Sequence, residues 1–107
     1  MDQSEAILIA LRRVICAVDV HSRRLAQSHQ LTSPQAMVLR ETVNSGGITA
    51  GELARNISLS QATITDIVKR LELRGLVQRQ RDTVDKRRVL IQATEQGIVL
   101  HASAPPL

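Results

Sequence analysis

Apolar positions recur along this chain with two different periods, and the change of period marks its elements. From about Ser4 to Gln27, Leu8, Leu11, Ile15 and Val18 return at helical spacing, Leu25 follows two turns later, and Ile7 and Val14 widen the stripe. One long amphipathic helix is expected there. Its stripe is wider than one small neighbour covers, so a partner helix from a second subunit and a buried place in a single subunit are both open. Thr32-Ser33-Pro34 then starts a second helix: either hydroxyl can cap it, and proline suits a first turn, where its missing N–H would be unpaired anyway. This helix carries Met37, Val38 and Val43 and is expected to stop at Asn44-Ser45-Gly46-Gly47.

Two short helix patterns follow back to back. Thr49-Ala50-Gly51-Glu52 reads as a capping box, the threonine hydroxyl accepting from the Glu52 amide and the glutamate side chain reaching back. The helix it opens buries Leu53, Ala54 and Ile57. After the turn Asn56–Ser60, Ser60 caps the next helix, on which Ile64, Ile67, Val68 and Leu71 form one buried stripe and which ends at Arg74-Gly75. The period then shortens to two. Leu76–Arg81 reads as a strand, Asp82–Lys86 as a turn, and Arg87–Ala93 as the return strand with Val89 and Ile91 on one face. Thr94 caps a last helix with Gly97 in its first turn, and Pro105-Pro106 end it. The expected fold is mainly α (α+β): a winged helix-turn-helix with a long N-terminal helix and a two-stranded wing. We expect a single domain over 1–107, with 1–31 and 94–107 as helical dimerisation elements and 32–93 as a DNA-binding lobe.

Composition narrows the partners. The chain has 107 residues and no aromatic side chain, so its core is aliphatic and it offers no stacking platform for unpaired bases. Net charge is +4, and the hairpin 76–93 holds five basic residues against two acidic ones. A basic patch this localised favours a polyanion. One cysteine, Cys16, allows no internal disulfide and suits a reducing compartment. Neither a signal peptide nor a bilayer-spanning stretch is evident, so the expectation is a cytoplasmic protein with no membrane role.

Candidate base readers lie on the side of the second short helix opposite its apolar stripe: Gln61, Ala62, Thr63, Thr65, Asp66 and Lys69. Gln61 suits a bidentate contact to adenine, and Ala62 and the Thr63 methyl suit a thymine methyl. Ser60 and Thr65 can bond phosphate oxygens at the helix N-terminus, while Lys69 and Arg70 would meet the backbone further along. On the hairpin, Arg87 is the candidate tip, aimed by Asp85 and sensitive to minor-groove width and potential. Arg79, Arg81, Lys86 and Arg88 are phosphate candidates, with Arg79 and Arg81 on one face of their strand.

These segments resemble the MarR family of bacterial transcriptional regulators. The match is carried by Ile48–Ala54, by Ser60–Thr65 continuing through Val68–Glu72 to Arg74-Gly75-Leu76-Val77, and by the wing Asp82–Arg87 closing with Thr94-Glu95-Gln96-Gly97. The resemblance implies a symmetric homodimer on a pseudo-palindromic double-stranded operator, reading helices in the major groove and wings along the minor groove, and repression relieved by a small molecule or an oxidant. A family-type effector would sit among Val14, Val18, His21, Leu25 and Met37. The family pattern continues into a further long C-terminal helix, whereas this chain stops at Ala104-Pro105-Pro106-Leu107. Asp66 stands where the family often has a basic or amide side chain, and Ala93 where its returning strand usually ends in leucine.

Other chemistry is poorly supported. Some relatives sense peroxide through a first-helix cysteine activated by tyrosine hydroxyls; this chain has no tyrosine, and Arg12 and Arg13 are the groups that would acidify Cys16. A small buried apolar role for Cys16 is favoured over a redox one. His21, His29 and His101 with Cys16 lack the spacing of a structural zinc site, so no metal is expected. No nucleophile, phosphate-cradling loop or framed carboxylate pair suggests an enzyme, and no cofactor is implied. The alternative from another class is a winged-helix module that docks protein without specific DNA readout.

Overall fold

A computed structural model describes residues 3–103, in the order α1 (Gln3–Ser28), α2 (Ser33–Ser45), α3 (Ala50–Ile57), α4 (Gln61–Leu73), β1 (Val77–Arg81), β2 (Val89–Ala93) and α5 (Glu95–Ser103). The expected stop at Pro105-Pro106 lies outside the described residues. The chain divides into two compact units, one reaching Thr32 and the other running from Ser33 to Ser103.

The first unit is built on α1, 26 residues long. Its side chains from Gln3 to Val20 are all exposed, the stripe of Leu8, Leu11, Ile15 and Val18 included. Asp19 and Arg23, one turn apart, form an ion pair of 2.8 Å on its surface. Such an exposed i,i+4 pair adds only about 0.3–0.5 kcal/mol.

The second unit has its core under α4. Ile64, Ile67, Val68 and Leu71 are buried, as the helical spacing predicts, together with Val38 and Leu39 of α2, Leu53 and Ala54 of α3, and Ile91 of β2. α4 packs on α2, α3 and β1, and α5 packs on α2 and β2. Each aliphatic side chain fully removed from water contributes about 1.5–3 kcal/mol. Thr42 is buried as well, and its hydroxyl is satisfied by donating to the Val38 carbonyl at 2.7 Å.

Strand boundaries differ from the sequence expectation for local reasons. Gly75, at φ +73°, donates to the Glu72 carbonyl, and Leu76 N–H donates to the Leu71 carbonyl, both at 3.0 Å. This left-handed C-terminal motif claims Leu76 for the helix end, so β1 starts at Val77. On the other side, Arg88 N–H donates to the Asp85 carbonyl at 3.0 Å and Asp82 N–H to the Arg88 carbonyl at 2.9 Å. The turn therefore consumes Arg87 and Arg88, and β2 begins at Val89. One pairing lay beyond the sequence pattern: Ile48 and Ile91 exchange backbone hydrogen bonds of 3.1 and 2.8 Å, tying the chain before α3 to the wing. At the start of α5, Thr94 Oγ1 accepts from Gly97 N–H at 3.1 Å and donates to the Gly75 carbonyl at 2.6 Å. A Cβ at Gly97 would collide with the Leu76 carbonyl, so that position needs a glycine.

Candidate nucleic-acid interface

The interface starts with how α3 presents α4. Thr49 Oγ1 accepts from Glu52 N–H at 3.2 Å, which is half of the predicted capping box. The other half is absent, because the Glu52 carboxylate does not reach back. Its Oε1 accepts instead from Arg88 Nη2, at 3.0 Å and 36 residues along the chain. α3 closes on Ser58 in the left-handed region, φ 62°, with Leu59 N–H bonded to the Ala54 carbonyl at 3.1 Å. That tight turn lets Ser60 cap α4, its Oγ accepting from Thr63 N–H at 3.1 Å.

The leading end of α4 faces solvent. Ser60, Gln61, Ala62, Thr63, Thr65, Asp66, Lys69 and Arg70 are all exposed, while Ile64 on the opposite side is wholly buried. The hydroxyls are partly engaged within the helix. Thr65 donates its proton to the Gln61 carbonyl at 2.8 Å, so it cannot also donate to a phosphate without turning away. Ser60 and Thr63 share one hydrogen bond of 2.8 Å, which leaves one of their two O–H groups free. Asp66 is paired with Arg70 at 3.3 Å, which offsets a carboxylate that would otherwise repel phosphates. The Gln61 amide lies over α3: a Cβ built on Gly51 would stand 3.1 Å from Gln61 Nε2.

The wing treats its basic residues unequally. Arg87, 92% exposed, stands at the tip, and Asp85 Oδ1 accepts from its backbone N–H at 3.0 Å and from its Nε at 3.3 Å. Arg81 Nη1 donates to the Lys86 carbonyl at 2.7 Å, closing the ribbon under the tip. Arg79 directs Nε and Nη2 onto Glu72 Oε1, at 3.3 and 3.1 Å. Lys69 and Lys86 carry no ion pair among the described residues. In register, Arg79 faces Ile91 and Arg81 faces Val89, so the strand face that carries both arginines is mixed with aliphatic side chains. A hollow of about 160 Å³ lies there, lined by Ala50, Thr65, Val68, Arg79, Val89 and Ile91.

The remaining candidates are divided between the two units. Val14 and Val18 are exposed on α1, His21 is half-buried, and the side chain of Leu25 lies outside the described residues; Met37 is exposed on α2, in the other unit. Cys16 is exposed rather than buried, because it shares the uncovered surface of α1. Among the described residues no three histidine, cysteine or acidic side chains gather as a metal site, and no helix is long and apolar enough to cross a membrane.

Residues 31–89 match the MarR family, more than half of the chain. This chain belongs to the MarR family. Among curated relatives, it is 39% identical over 75 residues to the HTH-type transcriptional regulator TtmR of Methylorubrum extorquens, an alignment covering 70% of this chain and 38% of that protein. It is 34% identical over 94 residues to the transcriptional regulator HosA of Escherichia coli O157:H7, covering 79% of this chain and 70% of that one. Its fold matches a mutant of Staphylococcus aureus MepR bound to an oligodeoxyribonucleotide, with TM-score 0.76 and 23% identity over 90% of this chain and 71% of that one. Both relatives are named as transcriptional regulators, this chain carries the family's winged-helix fold, and it spans well under half the length of TtmR. Sequence reasoning missed the roles of Glu52 and Glu72 as partners of wing arginines. Their signal was present only as acidic residues on the two helices that precede a basic hairpin.

Proposed function

We propose that this chain acts in the cytoplasm as a homodimer on a pseudo-palindromic duplex and represses transcription by occupying the promoter. The observation that carries this reading is the asymmetry of α4: its apolar side is wholly inside the lobe, while its N-terminal turn presents Gln61, Ala62 and Thr63 to solvent. Gln61 and Ala62 read base edges, and Thr63 adds a methyl contact. Ser60, Lys69, Arg70, Arg81 and Lys86 meet phosphates, and Arg87 enters the minor groove. The oligodeoxyribonucleotide named with the MepR mutant supports DNA as the partner. The exposed stripe of α1 supplies the apolar surface for a second subunit. Two reading helices about 34 Å apart then set the half-site spacing at one helical turn. A small molecule or oxidant that changes that spacing relieves repression.

The test is selection of bound sequences from random duplexes, with mass measured in solution. A palindromic consensus bound by a species of twice the chain mass is expected, with affinity falling steeply as salt rises. Enrichment of no sequence, with salt-insensitive binding, would leave the protein-docking alternative in its place.

A further inference from the structure

We propose that Glu52 is a positioning residue for DNA recognition: by holding Arg88 it fixes the angle of the wing against the reading helix and keeps that arginine off the phosphates. The inference rests on the DNA-binding reading above. A two-stranded ribbon is barely stable alone and takes its direction from what it leans on. The root of this wing is the Ile48–Ile91 bridge, with Ile91 buried. A ribbon held only at its root can pivot. Arg88 lies three residues from Ile91 toward the tip, just before β2, and its bond to Glu52 is the next side-chain tie outward on that side. On the other strand, Arg79 makes the matching tie to Glu72 of α4. Beyond these two ties the side-chain bonds of the tip are internal, Arg81 to Lys86 and Arg87 to Asp85. The tip therefore turns as one piece with the struts behind it.

Two features single out Glu52. Its carboxylate is turned off the helix start and onto Arg88, so it does not serve as the second half of a capping box. Both partners of the pair are also partly exposed, at 46% and 38% of their side chains. An ion pair so placed adds little to stability. What it supplies is direction, and it neutralises one arginine of a surface that otherwise competes for any phosphate.

The experiment uses the full chain, with Glu52→Gln, Arg88→Gln and the swapped pair Glu52→Arg/Arg88→Glu. Affinity for the selected duplex and for a random duplex of equal length is followed across salt, alongside thermal melting. For Glu52→Gln, random-duplex affinity should rise about fivefold and the slope of log affinity against log salt should steepen by about one, as the released guanidinium takes a phosphate. Preference for the selected duplex should fall about tenfold, with the melting temperature almost unchanged. Arg88→Gln should lose the same preference without the steeper slope, and the swapped pair should recover most of it. Unchanged slope and preference in Glu52→Gln would overturn the proposal, and so would a large drop in melting temperature, which marks a purely structural role. If the wild-type chain itself prefers no duplex, the DNA-binding reading fails first, and the two failures are told apart.

Discussion

Helices α1 and α4 carry the same kind of pattern, an apolar stripe at helical spacing with polar residues opposite, and they meet different ends. On α4, Ile64 and Leu71 are wholly buried and Val68 is nearly so. On α1, Leu8, Leu11 and Ile15 remain more than half exposed. Periodicity declares that a face is apolar without declaring what covers it. α4 is covered by α2, α3 and β1 of its own unit. The stripe of α1 is left for a second subunit in the reading proposed above, so the same pattern is fold-forming in one helix and partner-seeking in the other.

That contrast can be broken most directly at Leu71. Leu71→Ala should cost about 2–5 kcal/mol in denaturant unfolding, because it empties a space the lobe cannot refill. Gln61→Ala, on the other side of the same helix, should leave unfolding unaltered and cost about 1–3 kcal/mol of binding at the selected duplex, relaxing one base position. An equal loss on random DNA would show that Gln61 does not read a base. Arg87→Ala should weaken binding on all sequences by about 1 kcal/mol and lower the salt slope by about one; with both unchanged, the wing tip does not touch DNA. Ser60→Ala should cost about 1 kcal/mol of stability through the lost cap. The smallest effect belongs to α1: Ile15→Ala should change unfolding of the dilute chain by under about 0.5 kcal/mol while lowering the fraction of dimer at higher concentration. A loss at Ile15 as large as at Leu71 would erase the distinction between the two helices.

The reading helix was legible because each of its signals is local. Ser60 caps a helix whose first free amides lie within one turn, Ile64 to Leu71 repeat at a spacing set by the helix itself, and Gly75 adopts the left-handed φ that ends it. The wing was legible as a hairpin for the same reason, with Asp85 folding back on Arg87 two residues away. How the strand faces combine was not. Alternation put Arg79 and Arg81 on one face of their strand and Val89 and Ile91 on one face of theirs, and the register brought all four onto the same side. Register depends on how two strands meet, which neither strand encodes by itself.

The linear order of residues, then, determined the helices, their caps, the turn between α3 and α4 and the arginine at the wing tip, because each depends on atoms within a few residues of one another. Tertiary structure alone decided which carboxylates Arg79 and Arg88 take, that Ile48 bridges to β2, and that α5 crowds the Leu76 carbonyl so closely that Gly97 admits no side chain. Charges pair with whatever folding brings within about 4 Å, and Glu52 and Arg88 become neighbours only after the chain between them has packed.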